Sequence, residues 1–372
     1  MVTVGIIAEY NPFHNGHKRQ IEAVRRQFNG DVTVIALMSG NFVQRGEFAV
    51  LPKGYRAKAA LLGGVDLVLE YPYPWSGASA EQFAAGGVAI LSALGVDYLA
   101  FGSECGELSL LSQQAERLMS EEFNTALSLA VKREPAVSYA SLREAVYTSL
   151  YGESLATRAN DILGVSYLVA LKAQNSPMKP LVIKREGSES ATASRAAYRC
   201  ENYDELKNLV PQVSYDVLKE QRAVSLASLE KSILVHLRLS KRSDFADVAD
   251  LTDDLCYRIL SAAEKEETLE DFFAAVASKS YTNARVRRVF LAMLFRMRRE
   301  RLMTLPTFTR LLAAGPAGRR FLDGVAFPVL TRAGDSWRYG EAVREQVAFA
   351  DRADAIFRMA DENEAIHKPF IL

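Results

Sequence analysis

The 372-residue sequence predicts an α/β fold, a Rossmann-like doubly wound parallel sheet followed by a mainly α-helical C-terminal domain. Two observations support this fold class. Short, mostly apolar runs alternate with helix-like segments through the first half of the chain, which is typical of parallel strands buried on both faces. Beyond about residue 200 the apolar residues recur at helical spacing instead.

Five segments are predicted to be strands of the parallel sheet. They share a mostly apolar sequence and comprise residues 2–8, 32–38, 66–71, 96–101 and 180–184. Helical patterns occur at residues 55–62 and 80–94, and Asn160 is a candidate cap for a helix over residues 161–173. Because doubly wound sheets bind ligands at the carboxyl ends of their strands, the loops that follow the strands are candidate site segments.

The chain is predicted to form two domains. Residues 1–200 form a nucleotide-binding domain that contains a helical insertion at about residues 108–151. Residues 201–372 form a helical domain, in which Leu226, Leu229, Ile233, Leu234 and Leu237 fall on one helix face. Further helices are predicted at residues 268–277, 283–302 and 344–359.

Composition limits the possible environments of the protein. The chain has 45 basic and 45 acidic residues, so a nucleic-acid partner would require a local basic patch. No apolar run approaches the roughly 20 residues that span a bilayer, and the N-terminus lacks the features of a signal peptide. Cys105, Cys200 and Cys256 are scattered, which argues against a disulfide framework or a metal site and fits the cytoplasm.

The segment His14-Asn15-Gly16-His17 follows the first predicted strand and opens a predicted helix. Free N–H groups and the helix dipole attract phosphate at such a position, and Gly16 lets the backbone approach it closely. His14 and His17 can donate hydrogen bonds to phosphate oxygens as charge builds on them. The pattern H-x-G-H after a first strand is the mark of the nucleotidyltransferase superfamily, although a capped turn is the simpler alternative.

Other candidate phosphate ligands follow later strands. Ser190, Thr192 and Arg195 match the segment with which small adenylyltransferases hold the β- and γ-phosphates, although such a segment also occurs as a helix cap. Arg185, with Lys184, ends the fifth strand, and Gly102 ends the fourth. The loop of residues 39–47 suits a small acyl substrate or a leaving pyrophosphate, or is simply a surface loop. Lys53, Arg56 and Lys58 follow it and would face either phosphate or water.

An arginine-rich segment lies in the helical half, and we expect it to be away from the phosphate-binding loops. Its members are Arg285, Arg287, Arg288, Arg296, Arg298, Arg299 and Arg301. Interleaved apolar residues are consistent with a packing helix that has a solvated face. The density of arginines equally suggests contact with a phosphate backbone.

Together these segments resemble the bacterial tRNA(Met) cytidine acetate ligase family, which is of the nucleotidyltransferase type. The resemblance extends from residue 1 to about residue 300 and is carried by residues 9–17, 38–47, 63–70, 101–104, 160–164, 183–185, 190–192 and 281–282. The sequence departs from the family pattern in the short stretch of residues 186–189, in Ser194 where isoleucine is usual, and in Phe48 where proline is usual.

The resemblance implies a two-step activity. The family forms acetyladenylate from acetate and ATP, whose Mg²⁺ is carried on the triphosphate, and then acetylates N4 of the wobble cytidine of elongator tRNA(Met). His14 and His17 are the implied catalytic residues. The implied or proposed ATP contacts are Ile7, Ala8, Glu9, Tyr10, Asn11, Pro12, Phe13, His14, Asn15, Gly16, His17, Lys18, Arg19, Gln20, Gly102, Asn160, Arg185, Ser190, Thr192 and Arg195.

Two other functions are compatible with the sequence, and the oligomeric state is left open. A small-molecule adenylyltransferase would share the H-x-G-H motif but would have little use for the helical half. An RNA-binding protein with a relic ATP site would lack acetate-dependent exchange of pyrophosphate into ATP.

Overall fold

The structure is a computed structural model, and it describes residues 2–134, 137–185, 191–332, 334–363 and 368–372. The strands, in chain order, are β1 (Val2–Ala8), β2 (Val32–Ser39), β3 (Phe42–Val43), β4 (Glu47–Phe48), β5 (Leu67–Tyr71), β6 (Tyr98–Ser103), β7 (Lys179–Lys184), β8 (Thr309–Ala314), β9 (Val329–Leu330) and β10 (Phe370–Ile371).

The helices of the first 200 residues flank these strands. They are α1 (Asn15–Gln27), α2 (Lys53–Leu62), α3 (Ala80–Ala93), α4 (Leu108–Met119), α5 (Glu121–Arg133), α6 (Tyr139–Tyr151), α7 (Ala159–Ala173) and α8 (Ala191–Arg199). Helices α4, α5 and α6 occupy the stretch predicted to be a helical insertion.

Helices predominate in the remainder of the chain. They are α9 (Tyr203–Leu209), α10 (Gln212–Leu218), α11 (Glu230–Leu239), α12 (Asp253–Lys265), α13 (Leu269–Val276), α14 (Asn283–Leu294), α15 (Arg299–Met303), α16 (Pro316–Leu322) and α17 (Glu341–Met359). None of the helices in the described ranges is long and apolar enough to cross a membrane.

The central sheet has the strand order β10-β8-β5-β2-β1-β6-β7, with β9 paired to β8. The strands β5, β2, β1, β6 and β7 run parallel to one another. The chain moves outward from β1 through β2 to β5, and then crosses to the other side of β1 and continues through β6 to β7. The strand order therefore switches between β1 and β6, where doubly wound sheets bind their ligands. This topology confirms the predicted fold class.

The apolar residues form separate clusters on the two faces of the sheet and among the C-terminal helices. Alternate residues of β2 point to opposite faces, so that Ile35 and Leu37 pack with α3 and α7, whereas Val34 and Ala36 pack with α1 and α2. The third cluster, made mostly of α11 to α14 and α17, also contains Phe42. The β3–β4 hairpin is therefore packed against the helical region.

The C-terminal half also supplies strands, which the sequence did not predict. Strand β8 pairs antiparallel with β5, and β10 pairs parallel with β8. Six residues in a region of helical periodicity give only a weak strand signal, and their pairing partner is more than 200 residues away in sequence. The sheet thus extends across the boundary predicted at residue 200.

Two predicted helices differ in their details. The helix predicted over residues 283–302 is broken, because Arg296 has a φ of 49° and the chain at Arg298 pairs with Val248. Asn160 does not cap its helix: Arg158 occupies the cap position, and the Asn160 side chain donates a hydrogen bond to Glu104 Oε1 at 2.6 Å.

Candidate functional site

A cleft of about 570 Å³ lies at the carboxyl ends of β1 and β6, at the switch point of the sheet. It brings together residues that are up to 281 positions apart in the sequence, from Ile7 to Arg288. The predicted site residues that line it are Ile7, Ala8, Glu9, Tyr10, Asn11, His14, His17, Gln20, Gly102, Asn160, Arg185 and Thr192.

The two histidines are fixed by the start of α1. His14 is the N-cap, and its Nδ1 accepts a hydrogen bond from Gly16 N at 3.0 Å. His17 Nδ1 accepts one from His14 N at 3.2 Å, and the two rings stack with their centroids 3.7 Å apart. Because both Nδ1 atoms act as acceptors, the neutral rings carry their protons on Nε2. Each ring therefore presents an N–H donor.

His17 is held in its neutral form. Burial lowers its pKa well below 6.5, and the neighbouring His14 and Arg185 lower it further. At neutral pH the ring is therefore a hydrogen-bond donor rather than a cation.

Three guanidinium groups give the cleft its positive charge. Arg45 belongs to the β3–β4 hairpin, Arg185 follows β7, and Arg288 lies on α14, and all three line the cleft. Within the described residues, none of these guanidinium groups forms a hydrogen bond or a salt bridge. Unpaired guanidinium groups are suited to binding phosphate or carboxylate. The cleft is therefore built for an anionic ligand.

Arg195, by contrast, is engaged in internal contacts. It is 7% exposed, and its guanidinium donates to the Asn11 carbonyl oxygen at 3.0 Å and to Thr192 Oγ1 at 3.2 Å. It links α8 to the loop between β1 and α1. The geometry favours a positioning role for Arg195 over direct contact with a phosphate.

Glu9 is the only acid among the described residues that line the cleft. Its Oε1 accepts a hydrogen bond from Gln44 N at 2.9 Å. Burial raises the pKa of the Glu9 carboxyl, while the bond from Gln44 and the charges of Arg195 and Arg45 oppose that rise.

Asn160 and Gly102 are held in place by the start of α7. Asp161 Oδ1 accepts hydrogen bonds from Ser103 Oγ at 2.5 Å and from Glu104 N at 2.9 Å, which joins α7 to the end of β6. A Cβ atom at Gly102 would lie 3.2 Å from Arg185 Cγ, so the glycine leaves room for that side chain. Apolar side chains line the cleft from the same elements and from α3, namely Phe83, Phe101, Ile162, Leu163 and Tyr167.

Several residues of the predicted set do not line the cleft described by the structure. Phe13 is 1% exposed in the core, Asn15 donates to the Asn208 carbonyl oxygen at 2.9 Å, and Lys18 is exposed. Pro12 is buried outside the lining. Gly16 and Arg19 line an adjoining cavity of about 120 Å³ that shares His17, Gln20, Gly102 and Arg185 with the cleft. Ser190 lies outside the described residues.

The β3–β4 hairpin and α14 supply lining residues that no single motif identified. Gln44 and Arg45 come from the loop predicted to bind a small ligand, whereas Ala284 and Arg288 come from the arginine-rich segment. At Gly46, which has a φ of +74°, a Cβ atom would lie 2.4 Å from Arg288 N. The prediction that this segment lies away from the phosphate-binding loops is therefore wrong for Arg288.

The arginine-rich segment does not form one continuous stripe. Arg285 forms a salt bridge with Asp250 at 3.1 Å, and the guanidinium carbon atoms of Arg287 and Arg301 lie 4.2 and 4.6 Å from the ring centroids of Phe273 and Phe349. The exposed members are Arg296, Arg298 and Arg299.

The basic residues that open α2 face neither phosphate nor bulk water. Arg56 is 1% exposed and donates to main-chain carbonyl groups, including those of Leu51 and Ser39. Lys53 forms salt bridges with Glu70 at 2.6 Å and with Asp354 at 2.5 Å.

Comparison with known proteins gives the family. Residues 1–369 match the HIGH Nucleotidyl Transferase family model. The tRNA(Met) cytidine acetate ligase of Caldicellulosiruptor saccharolyticus is 35% identical over 345 residues, which cover 87% of this chain and 85% of that protein. The chain belongs to the tRNA(Met) cytidine acetate ligase family.

Two further relatives support this family assignment. The tRNA(Met) cytidine acetate ligase of Syntrophotalea carbinolica is 36% identical over 344 residues, which cover 87% of this chain and 82% of that protein. A crystal structure of Thermotoga maritima TmcAL bound with alpha-thio ATP superposes with a TM-score of 0.93 at 29% identity, and covers 100% of both chains. The family resemblance seen in the sequence is confirmed.

Proposed function

We propose that this protein is an ATP-dependent acetate ligase, which forms acetyladenylate and transfers the acetyl group to N4 of the wobble cytidine of elongator tRNA(Met). The family assignment and the relative crystallised with an ATP analogue support this function. The observation that carries it is the cleft at the switch point, where two stacked histidines converge with three guanidinium groups that have no hydrogen-bond or salt-bridge partner among the described residues. A tRNA acceptor implies that the reaction takes place in the cytoplasm.

ATP is proposed to bind with its phosphates at the start of α1 and its adenosine near Gly102 and Asn160. The helix N-terminus and Arg185 favour phosphate, and the apolar side chains from α7 and β6 suit a base. Mg²⁺ would enter on the triphosphate. The described residues contain no cluster of three or more His, Cys, Asp or Glu side chains that could hold a metal ion.

In the proposed first step, an acetate oxygen attacks the α-phosphorus in line and pyrophosphate leaves. The Nε2–H groups of His14 and His17 stabilise the charge that grows on the phosphate oxygens. The enzyme contributes position and electrostatic stabilisation, without a covalent intermediate on the protein.

The direct test measures both steps on the purified protein. We expect acetate-dependent exchange of labelled pyrophosphate into ATP, and N4-acetylcytidine in elongator tRNA(Met) detected by mass spectrometry of nucleosides. Exchange that depends on a phosphate ester instead of acetate would indicate a small-molecule adenylyltransferase. Binding of tRNA without any exchange would indicate an RNA-binding protein with a relic ATP site.

Arg185→Ala is expected to lower the affinity for ATP about tenfold, which is the scale of one lost charge-assisted hydrogen bond. The affinity for AMP should fall less, because AMP lacks the β- and γ-phosphates. Isothermal titration calorimetry of both nucleotides measures the difference. Lys132→Ala removes an exposed charge from α5 and serves as the control. Equal losses for ATP and AMP would rule out a role at the outer phosphates.

The double substitution Arg298→Ala, Arg299→Ala is expected to weaken tRNA binding without changing pyrophosphate exchange. If both exposed side chains contact phosphates, the slope of log affinity against log salt should decrease in magnitude by roughly two. The control is Arg319→Ala, Arg320→Ala, which removes two exposed arginines from α16. Unchanged affinity at every salt concentration would show that tRNA docks elsewhere.

A further inference from the structure

Glu9 has an unusual environment for an acid in an anion-binding cleft. It follows β1 at the centre of the sheet, and its only hydrogen bond within the described residues comes from Gln44 N. Those residues place no cation within 4.0 Å of its carboxylate, although unpaired guanidinium groups line the same cleft. A carboxylate beside a polyanion site is electrostatically unfavourable, so its presence there calls for a chemical role.

The proposed reaction has one step that must release a proton. Acetate attacks ATP as a carboxylate, so the first step has no proton to remove. In the second step the amine N4 forms a bond to the acetyl carbonyl carbon, and the bond from that carbon to the phosphate oxygen breaks. AMP leaves, and N4 must lose one hydrogen as a proton to an acceptor.

The histidines of the cleft are poor candidates for that acceptor. The Nδ1 lone pairs of His14 and His17 already accept hydrogen bonds from the Gly16 and His14 amides. In the neutral rings the other nitrogen, Nε2, carries the proton. Both rings can therefore donate a hydrogen bond to the phosphate, but neither has a lone pair left to take up a proton.

We propose that Glu9 is the general base of the acetyl-transfer step, in which its carboxylate accepts the proton that N4 of the cytidine releases. This inference rests on the proposed function. The hydrogen bond from Gln44 N fixes the carboxyl group through Oε1, and Oε2 is left for the amine. The raised pKa makes Glu9 a better proton acceptor than an ordinary carboxylate.

The test compares the two half-reactions in Glu9→Gln, an isosteric change that preserves an acceptor for Gln44 N. Single-turnover acetyl transfer from enzyme-bound acetyladenylate to tRNA should fall by about 10²- to 10⁴-fold, the usual contribution of a general base. The fold loss in acetate-dependent pyrophosphate exchange should be at least ten times smaller than the fold loss in transfer. Trapping by hydroxylamine, which attacks acyl-adenylates without a base from the protein, should likewise be affected far less than transfer.

The pH dependence provides a readout that a purely structural role would not change. Because Glu9 must be ionised to accept the proton, wild-type transfer should slow as the pH falls through the pKa of Glu9. This acid limb should vanish in Glu9→Gln and persist, at a lower rate, in Glu9→Asp. Should Glu9→Gln fail to fold, Glu9→Ala is measured in the same way: loss of the acid limb, with transfer slowed far more than exchange, supports the proposal, and a retained acid limb overturns it.

Three results would overturn the proposal. Equal losses in exchange and transfer would assign Glu9 to nucleotide binding. Normal transfer by Glu9→Gln would assign the proton to the phosphate of the leaving AMP. An unchanged acid limb in that variant would show that another group titrates. Absence of acetate-dependent exchange in the wild-type protein would instead refute the proposed function itself.

Discussion

His17→Ala is expected to lower acetate-dependent pyrophosphate exchange by about 10²-fold or more, the scale of losing one preorganised donor to a transition-state oxyanion. The substitution removes an Nε2–H donor, and it also removes the acceptor of the hydrogen bond from His14 N. Exchange kinetics at saturating ATP and acetate measure the loss. His14→Ala should have a similar kinetic effect and should also cost about 0.5–2 kcal/mol of stability, because His14 caps α1.

The pH dependence of stability supplies a second check on His17. Its pKa is lowered in the folded protein, so the unfolded chain takes up a proton that the native ring excludes. The contribution of His17 to stability is therefore lost as the pH falls below about 6.5, and His17→Ala should flatten this part of the profile. His236→Ala, on α11 outside the cleft, is the control for this stability profile.

For the kinetic prediction, a normal exchange rate in His17→Ala would show that His17 does not take part in the proposed mechanism.

Arg56→Ala is expected to lower the free energy of unfolding by about 3–5 kcal/mol, the range for removing one partner of a buried charged network. The Arg56 side chain donates to the carbonyl oxygens of Leu51 at 2.8 Å, Glu9 at 2.6 Å and Ser39 at 3.0 Å, and also to that of Gly40. Burial lowers its pKa to about 10, so it is charged at neutral pH. Without it, each of these carbonyl groups would lose a hydrogen-bond donor.

Urea denaturation measures this loss, with Arg26→Ala on the exposed side of α1 as the control. Arg56→Lys should restore only part of the stability, because a single ammonium group cannot reach all the carbonyl groups that Nε, Nη1 and Nη2 of the guanidinium contact. A loss below about 1 kcal/mol for Arg56→Ala would mean that water or other donors replace the guanidinium.

The parallel core of the fold could be predicted from the sequence because its signal is local. In β2 all eight residues are buried and six of them are apolar, and a nearly continuous apolar run is typical of such a strand. The turn and helix around His14 and His17 were predictable for the same reason, since a short segment contains both the motif and its structural context. Membership of the family could be inferred as well, because several such segments occur in the right order.

The parts of the fold and of the candidate site that could not be predicted depend on contacts between residues that are distant in sequence. The sequence alone does not show whether an arginine binds a ligand, joins a helix to a loop or donates to buried main-chain carbonyl groups. Only the tertiary structure distinguishes these roles for Arg185, Arg195 and Arg56. Arg288 belongs to the cleft because the backbone of α14 passes close to Gly46, a contact between residues 242 positions apart. Strand β8 was missed because its partner β5 is equally remote.

Strand β8 has a consequence for how the protein acquires its fold during synthesis. All five residues of β5 are buried, and the strand is bordered on one side by β2 and on the other by β8. Residues 309–314 leave the ribosome more than 200 residues after β5 has been made. Until then the nascent sheet has an unpaired, apolar edge, which is the kind of surface that promotes misassembly between chains. The central sheet is therefore complete only once nearly the whole chain has been synthesised.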